Sequence, residues 1–255
     1  MHDQQREATM NSNPYSTLTG KTQGEGAPPP GTRTLRDLLR SATWAQSMDE
    51  AALVRLEAGV VEKSVTAGGY VCHKGEPAEQ WVGVIDGLVK ISSVWTTGKT
   101  VTFTGVPPGG WLGEGSLLKH ELRKYDVVAL RDSRIAYMNR QTFQWLLDNC
   151  ITFNQYLLTQ INERLGQFIA MVEHERLLEP DARVARSLAA LFHPVLYPGL
   201  GKQLQISQEE VGFLAGVSRQ RANQALKCLE EAGLLRIEYG GITILDIPGL
   251  RTYGG

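Results

Sequence analysis

The chain has 255 residues, 42% of them hydrophobic, and 26 basic against 27 acidic residues leave a net charge of -1. Length and composition exclude disordered, collagen-like and miniprotein classes and allow one large or two modest cores. Bulk charge gives no pull toward nucleic acid, membrane or acidic substrate, so only the distribution of charge can inform on partners.

Cys72, Cys150 and Cys228 are odd in number, far apart and never in a CxxC pair. They encode neither a disulfide framework nor a zinc ribbon, and no metal site is expected. The first residues hold no basic segment followed by an apolar stretch, and no window approaches the roughly 20 apolar residues of a membrane span. The expected location is the cytoplasm.

Residues 1–33 are rich in Gln, Ser, Asn, Thr, Gly and Pro, a composition that buries too little apolar surface to offset its ordering entropy; a disordered tail is expected. Over 35–58, Leu35, Leu38, Leu39, Ala42, Trp44, Leu53, Val54 and Leu56 recur at helical spacing with a break near Ser47, which predicts two short helices. Between residues 59 and 115 stand 12 of the 27 glycines, separating short β-branched and aromatic runs at 70–72, 80–85, 88–95 and 100–106. Such punctuation at about ten-residue intervals indicates an all-β barrel or roll, continued by runs at 126–130 and 133–138. Asp86-Gly87 and Thr97-Gly98 are read as hairpin turns.

From 140 to 179 there is no proline, and Gly166 is the only glycine. Leu158, Ile161, Leu165, Phe168 and Val172 follow each other at intervals of three, four, three and four, the a/d seam of a two-stranded coiled coil. The alternative is a helix lying against its own roll. The flanking Gln160, Asn162, Glu163, Arg164, Gln167, Glu173 and Glu175 look too polar for burial all round, which favours a dimer seam. A further helix is marked by Val184, Leu188, Leu191 and Phe192 after Pro180-Asp181, closed by the loop at 198–201.

Ser207-Gln208-Glu209-Glu210 is a capping box, in which the Ser hydroxyl serves the third helical amide and Glu210 reaches back to the cap. The helix it starts ends at Gly216, Ser218 caps a second helix over 219–231 with Ala222, Leu226 and Leu229 inward, and Gly233 stops it. Two short helices around a Gly turn form a helix-turn-helix. The runs 234–239 and 242–247 around Gly240-Gly241 predict a hairpin wing. The outward residues of the second helix are Arg219, Gln220, Arg221, Asn223, Gln224 and Lys227, three cations and three amides with no acid before Glu230. Arg and Lys suit guanine O6/N7 or phosphate, and Gln or Asn suits adenine N6/N7. A merely solvated or packing helix would mix Glu among them.

Taken in order, these segments resemble the Crp/Fnr superfamily of bacterial transcription regulators. The resemblance is carried by His73-Lys74-Gly75-Glu76-Pro77-Ala78-Glu79, Gly87-Leu88-Val89-Lys90, Gly113-Glu114 with Arg123 nine residues on, the long central helix, and the two stretches 206–212 and 216–221, over about three quarters of the chain. It implies an α+β architecture: a tail over 1–33, a β-roll (double-stranded β-helix) sensor over 34–140, a dimerisation helix over 141–179 and a winged helix-turn-helix over 180–255. It further implies double-stranded DNA, a second copy of the chain and RNA polymerase as partners, and no membrane.

Family members that bind cyclic AMP hold its phosphate with backbone amides, an Arg and a Ser, and its ribose with a Glu. By resemblance the effector residues are Gly113, Glu114, Gly115, Ser116, Arg123, Lys124 and Phe168. Lys124 stands where the family has Ser, Tyr125 replaces a small residue, and the adenine-reading hydroxyl pair falls near Phe168 and Ile169, so cyclic AMP itself is poorly supported. Arg123 and Lys124 either hold a small anionic or nucleotide-like effector, or Arg123 pairs with Glu114 as a structural ion bridge. The iron–sulfur branch of the family needs a cysteine cluster that residues 1–58 lack. Haem ligation through Cys72, His73 or His120 is the weaker reading of those three residues.

At the DNA end Arg219 matches the family's guanine reader. Gln220 replaces a Glu and Gln224 an Arg, which shifts preference toward adenine. Ser207 and Gln208 match phosphate contacts. A catalytic reading lacks support: Ser116 is not in a GxSxG elbow, no Walker loop or HExxH is present, and the five histidines are dispersed. A cyclic-nucleotide-binding adaptor acting without DNA would have no need of a basic, amide-rich second helix.

Overall fold

Thr34 caps α1 (Leu35–Arg40) with a reciprocal box to Asp37, and Asp49 caps α2 (Glu50–Ala58). The computed structural model describes residues 33–198 and 200–254; the tail expected over 1–33, all but Arg33, and Gly199 of the 198–201 loop lie outside the described residues.

The strands are β1 (Val60–Val65), β2 (Tyr70–Cys72), β3 (Gln80–Asp86), β4 (Val89–Val94), β5 (Thr100–Val106), β6 (Trp111–Leu112), β7 (Asp126–Ala129) and β8 (Ser133–Asn139), with α3 (Glu114–Leu118) after β6. They form two antiparallel four-stranded sheets, ordered β1-β8-β3-β6 and β2-β7-β4-β5. In the first sheet the inner strands β8 and β3 are buried on both faces, their side chains alternating between two cores, while the edge strand β1 is largely exposed. Val82, Val84, Ile135 and Tyr137 point into the roll, whereas Trp81, Ile85, Ala136 and Met138 pack outward against the helices. Continuous apolar runs, not alternating ones, therefore encode β3 and β8.

Thr97-Gly98 lies in the β4–β5 hairpin: Gly98 takes φ 79° and its N–H donates to the Trp95 carbonyl. Asp86-Gly87 is not a hairpin turn. β3 and β4 belong to different sheets, and Gly87, at φ 96° and against Ser133, turns the chain from one sheet to the other.

The helix expected over 140–179 is two helices, α4 (Arg140–Asn149) and α5 (Ile151–Leu177). Cys150 is extended (φ -128°, ψ 99°), and the kink is held from outside: Thr152 Oγ1 donates to the Trp44 carbonyl at 3.1 Å. Phe153 and Leu157 then run into the outer core, where Trp81 stacks on Trp111 at 4.2 Å and Trp44 meets Phe153 edge-on at 5.1 Å.

The C-terminal part comprises α6 (Pro180–Ala190), β9 (Gln203–Leu204), α7 (Gln208–Ala215), α8 (Arg219–Glu231), β10 (Leu235–Glu238), β11 (Gly241–Ile244) and α9 (Ile247–Thr252). The wing is shorter than expected and gains a strand. It turns at Tyr239-Gly240, not Gly240-Gly241, ends at Ile244, and β9 pairs with β11. Leu88, just after the Gly87 corner, sits in the core of this part with Val184, Leu188 and Leu226, tying it to the roll. Among the described residues no helix is long and apolar enough to cross a membrane.

A Cβ on Gly83 would lie 2.8–2.9 Å from the ring of the buried Trp111. Gly83→Ala is expected to destabilise the fold by about 1–3 kcal/mol through overpacking, read as a lower urea midpoint at unchanged slope.

Candidate nucleic-acid interface and sensor cassette

The cassette begins where β6 ends. Gly113 takes φ 91°, and a Cβ there would fall 2.7 Å from Nη1 of Arg123, so glycine is required both by backbone and by the overlying guanidinium. Arg123 is buried and donates from Nη2 to the Gln80 carbonyl at 2.7 Å; its Nη1 is buried without a partner among the described residues.

Glu114 is buried too, yet it does not pair with Arg123. Its Oε1 lies 3.3 Å from Nε of Arg164 on α5, and the ion bridge proposed between Glu114 and Arg123 is absent. Arg164 also donates from Nη2 to the Trp111 carbonyl at 2.7 Å, and Gln160, one turn earlier, donates to the same oxygen at 2.8 Å. These two residues, read in the sequence as part of a solvated flank, are 0% and 8% exposed. Burial alone lowers the Arg164 pKa, but the facing Glu114, with Tyr197 and Tyr125, raises it overall. A polar pair at i and i+4 beside the core residues Phe153 and Leu157 was the available signal, since it continues their face.

The remaining cassette residues separate. Lys124 is exposed and bonded to Glu121 at 3.1 Å, turned away from the roll interior. Tyr125 instead packs against the roll core, where burial and then Glu114 push its phenol up. Gly115 is exposed and Ser116 half-buried on α3. Phe168 lies edge-on to Phe103 of β5 at 6.3 Å, while Gln160 and Arg164 are the α5 residues that reach the cassette. Ile169, its neighbour, is exposed.

Cys72 is buried, and burial pushes its thiol up to about 11, so it stays protonated; His73 stacks on Tyr70 at 4.0 Å. Among the described residues no cluster of His, Cys, Asp or Glu is placed to hold a metal.

In the C-terminal part both bonds of the Ser207–Glu210 capping box are present. Gly216 ends α7 at φ 64°, and Gly212 lets α7 approach the turn, since a Cβ there would meet the Val217 carbonyl at 2.9 Å. Ser218 caps α8 by accepting from the Arg221 amide. The outward face expected of α8 is thinned by two internal bonds. Arg221 pairs with Asp181 of α6 at 2.8 Å, and Asn223 accepts from Gln208 at 3.2 Å, locking α7 to α8. Arg219, Gln220, Gln224 and Lys227 remain exposed, and Ser207 and Ser218 are exposed at the two helix starts. Tyr239 stands fully exposed at the wing tip.

Glu210 has a second partner: Arg131, between β7 and β8, donates to its Oε1 from Nε and Nη2 at 3.0 and 2.6 Å. Lys90 Nζ lies 4.3 Å from the centre of the Phe213 ring. The roll thus grips α7 directly.

A jelly-roll sensor joined through a long helix to a winged helix-turn-helix defines the class of effector-controlled DNA-binding regulators. Residues 62–150 match the cyclic nucleotide-binding domain family and residues 182–253 the Crp-like helix-turn-helix domain family. The chain is 28% identical over 167 residues to the cAMP-activated global transcriptional regulator CRP of Pasteurella multocida, covering 64% of this chain and 79% of that one. It is 27% identical over 192 residues to the transcriptional regulator SdrP of Thermus thermophilus, covering 74% and 91%. Among solved structures, FixK2 from Bradyrhizobium japonicum superposes with a TM-score of 0.61 at 18% identity, over 77% of this chain and 98% of that one. The chain belongs to the Crp/Fnr family of transcription regulators.

Glu114 and Arg164 form a buried pair whose separation leaves an uncompensated charge. Arg164→Ala is expected to cost about 3–5 kcal/mol of stability. The double change Glu114→Gln with Arg164→Met is expected to cost clearly less than Arg164→Ala alone, both read by chemical denaturation.

Proposed function

We propose that the protein is a homodimeric, sequence-specific DNA-binding transcription regulator, with residues 34–140 sensing a small effector, 141–179 dimerising and 180–255 reading a palindromic operator. The observation that carries the reading is the free face of α8: Arg219, Gln220, Gln224 and Lys227 are exposed with no carboxylate among them, on a helix held rigidly by α7 and flanked by a wing. Arg219 is assigned to a guanine and Gln220 and Gln224 to adenines, while Ser207, Gln208, Ser218 and Lys227 are assigned to phosphates. Arg221 and Asn223 contribute by fixing α8 rather than by reading bases.

The dimer reading is supported by α5, on which Leu158 and Leu165 are 71% and 58% exposed, with Ile161, Ile169 and Val172 continuing one apolar stripe; Phe168, expected in the seam, is instead turned to Phe103 of the roll, and Ile169 takes its place. Two copies joined along this stripe present two α8 helices to half-sites one helical turn, about 34 Å, apart. The effector is proposed to be a nucleotide-like anion held by the unpartnered Nη1 of Arg123. Tyr125 and Arg164, which fill the cassette, favour an anion other than cyclic AMP, although the Pasteurella relative is named for cAMP activation. The proposed setting is the cytoplasm, with RNA polymerase as partner at the promoter.

Gel-shift selection from random duplexes tests the reading. Arg219→Ala is expected to relax preference at one base pair per half-site by about 1–3 kcal/mol. An unaltered site preference would remove Arg219 from its role, and no sequence preference in the unmutated protein under any effector condition would remove the function. Leu158→Glu with Leu165→Glu is expected to give monomers in sedimentation and to abolish palindrome binding; a persistent dimer would refute the seam.

A further inference from the structure

The segment that leads out of α6 is anchored. Leu196 and Tyr197 within it are buried in the inner core of the roll, with Val82, Val84 and Val106. Tyr197 lies over Gly110, where a Cβ would meet its ring at 2.8 Å. The segment 193–197 is therefore a strap: it starts beside α5, and its two inserted side chains moor the C-terminal part to the roll.

His193 shapes the strap. Its Nδ1 accepts from the amides of Val195 and Leu196 at 3.3 and 3.2 Å, and its carbonyl accepts from the Tyr197 amide at 2.9 Å. An Asn or Asp would make the same turn with a side-chain oxygen. The difference is chemical: an amide oxygen accepts at any ordinary pH, whereas Nδ1 accepts only while it carries no proton. The ring proton is therefore assigned to Nε2, which lies 3.3 Å from Oε2 of Glu163 on α5. A second proton has only Nδ1 to go to, where it would face two N–H donors.

The charges that act on the ring are Glu163 and Arg164 of α5 and Arg251 of α9. Arg183 and Arg186 of α6 and His174 and Glu175 of α5 line the cleft beside it, to which β5 brings no charged residue. Burial holds the His193 pKa below its usual range; Glu163 opposes the lowering, and Arg251 and Arg164 add to it. Glu163 sits at Nε2, so it does not relieve the conflict at Nδ1. The closed strap binds fewer protons than the open one. Its stability is thus full above about pH 6.5, the ordinary histidine value, and is lost progressively below it.

We propose that His193 is an acid-release joint: a proton on Nδ1 expels the ring from the Val195 and Leu196 amides, frees Leu196 and Tyr197 from the roll, and weakens operator binding. The last step rests on the regulator reading. Protonation favours the open strap by the difference in proton affinity between the two states, and an open strap leaves the C-terminal part less firmly mounted on the roll.

Hydrogen exchange at the amides of Val195, Leu196 and Tyr197, corrected for the intrinsic rate, tests the joint on the full chain. Between about pH 7.5 and about pH 5.5 their opening is expected to rise about tenfold, the effect of one proton on a group that titrates near 6.5 when released. His193→Asn keeps an acceptor that does not titrate and is expected to hold the amides protected at both values. His193→Ala is expected to expose them already at the higher pH, and His174→Asn, at the other cleft imidazole, to leave the acid response intact. An undiminished acid response in His193→Asn, or full protection in His193→Ala, overturns the joint; if His193→Ala does not fold, His193→Asn decides. Operator affinity by gel shift is expected to fall several-fold over the same range in the unmutated protein and not in His193→Asn. Equal falls in the two overturn the link to DNA binding. Absence of DNA binding altogether refutes the regulator reading, and the exchange measurement, which needs no DNA, distinguishes that failure from failure of the joint.

Discussion

The carbonyl oxygen of Trp111 accepts two bonds from α5, one from Gln160 and one from Arg164, and the peptide that carries it leads straight into Gly113 and Glu114. This attachment fixes the rotation of α5 about its axis. Since residues 160 and 164 face the roll, Leu158, Leu165 and Val172 face solvent; a rotation by one residue, about 100°, would exchange these roles. The attachment also sets the state of the cassette, because Arg164 takes the Glu114 carboxylate. A bonded carbonyl with a buried ion pair beside it is costly to break halfway, so α5 and the cassette move together or not at all.

The same logic extends to the DNA end. Glu210 closes the capping box of α7 with one oxygen and accepts Arg131 of the roll with the other. Gly105 of β5 lies so close to Leu191 and Leu214 that a Cβ would meet them at 2.9 and 3.0 Å. The start and the end of α7 are therefore both referenced to the roll, and α8 follows α7 through the Gln208–Asn223 bond. The roll is thus joined to α8 through packed and hydrogen-bonded contacts rather than through a flexible linker alone.

How much of this the sequence discloses depends on whether the determining force is local. The capping box at Ser207, the glycine stops at 216 and 233, and the runs of β3, β4 and β8 are local, and the sequence names them. β1, with Glu62 and Lys63 inside it, pairs only with β8 at a sheet edge, and no periodicity distinguishes it from a loop. The break at Cys150 has no Gly or Pro; it exists because Thr152 finds the Trp44 carbonyl, a contact across about a hundred residues. Gly87 announces a turn but not its kind, since leaving one sheet for another is decided by packing. At the cassette Gly113 and Arg123 are legible as a motif. Arg164 is not, because an arginine on a helix reads as solvated until the carboxylate facing it is known.

The outward face of α8 shows the converse. Its cations and amides imply DNA from composition alone, but the structure divides them into Arg219, Gln220, Gln224 and Lys227, left exposed, and Arg221 and Asn223, bonded to Asp181 and Gln208. That division sharpens the specificity argument. A reader must be both free and rigidly mounted, because a bidentate contact discriminates bases only if the helix cannot adjust to a mismatch. Asp181 stands at the start of α6, directly after the end of α5, so the Arg221 bond mounts the recognition helix on the segment where any rotation of α5 is first felt. The net charge of -1 conceals this arrangement: on α8 the cations left without an ion pair among the described residues are Arg219 and Lys227, while Arg221 is held by Asp181.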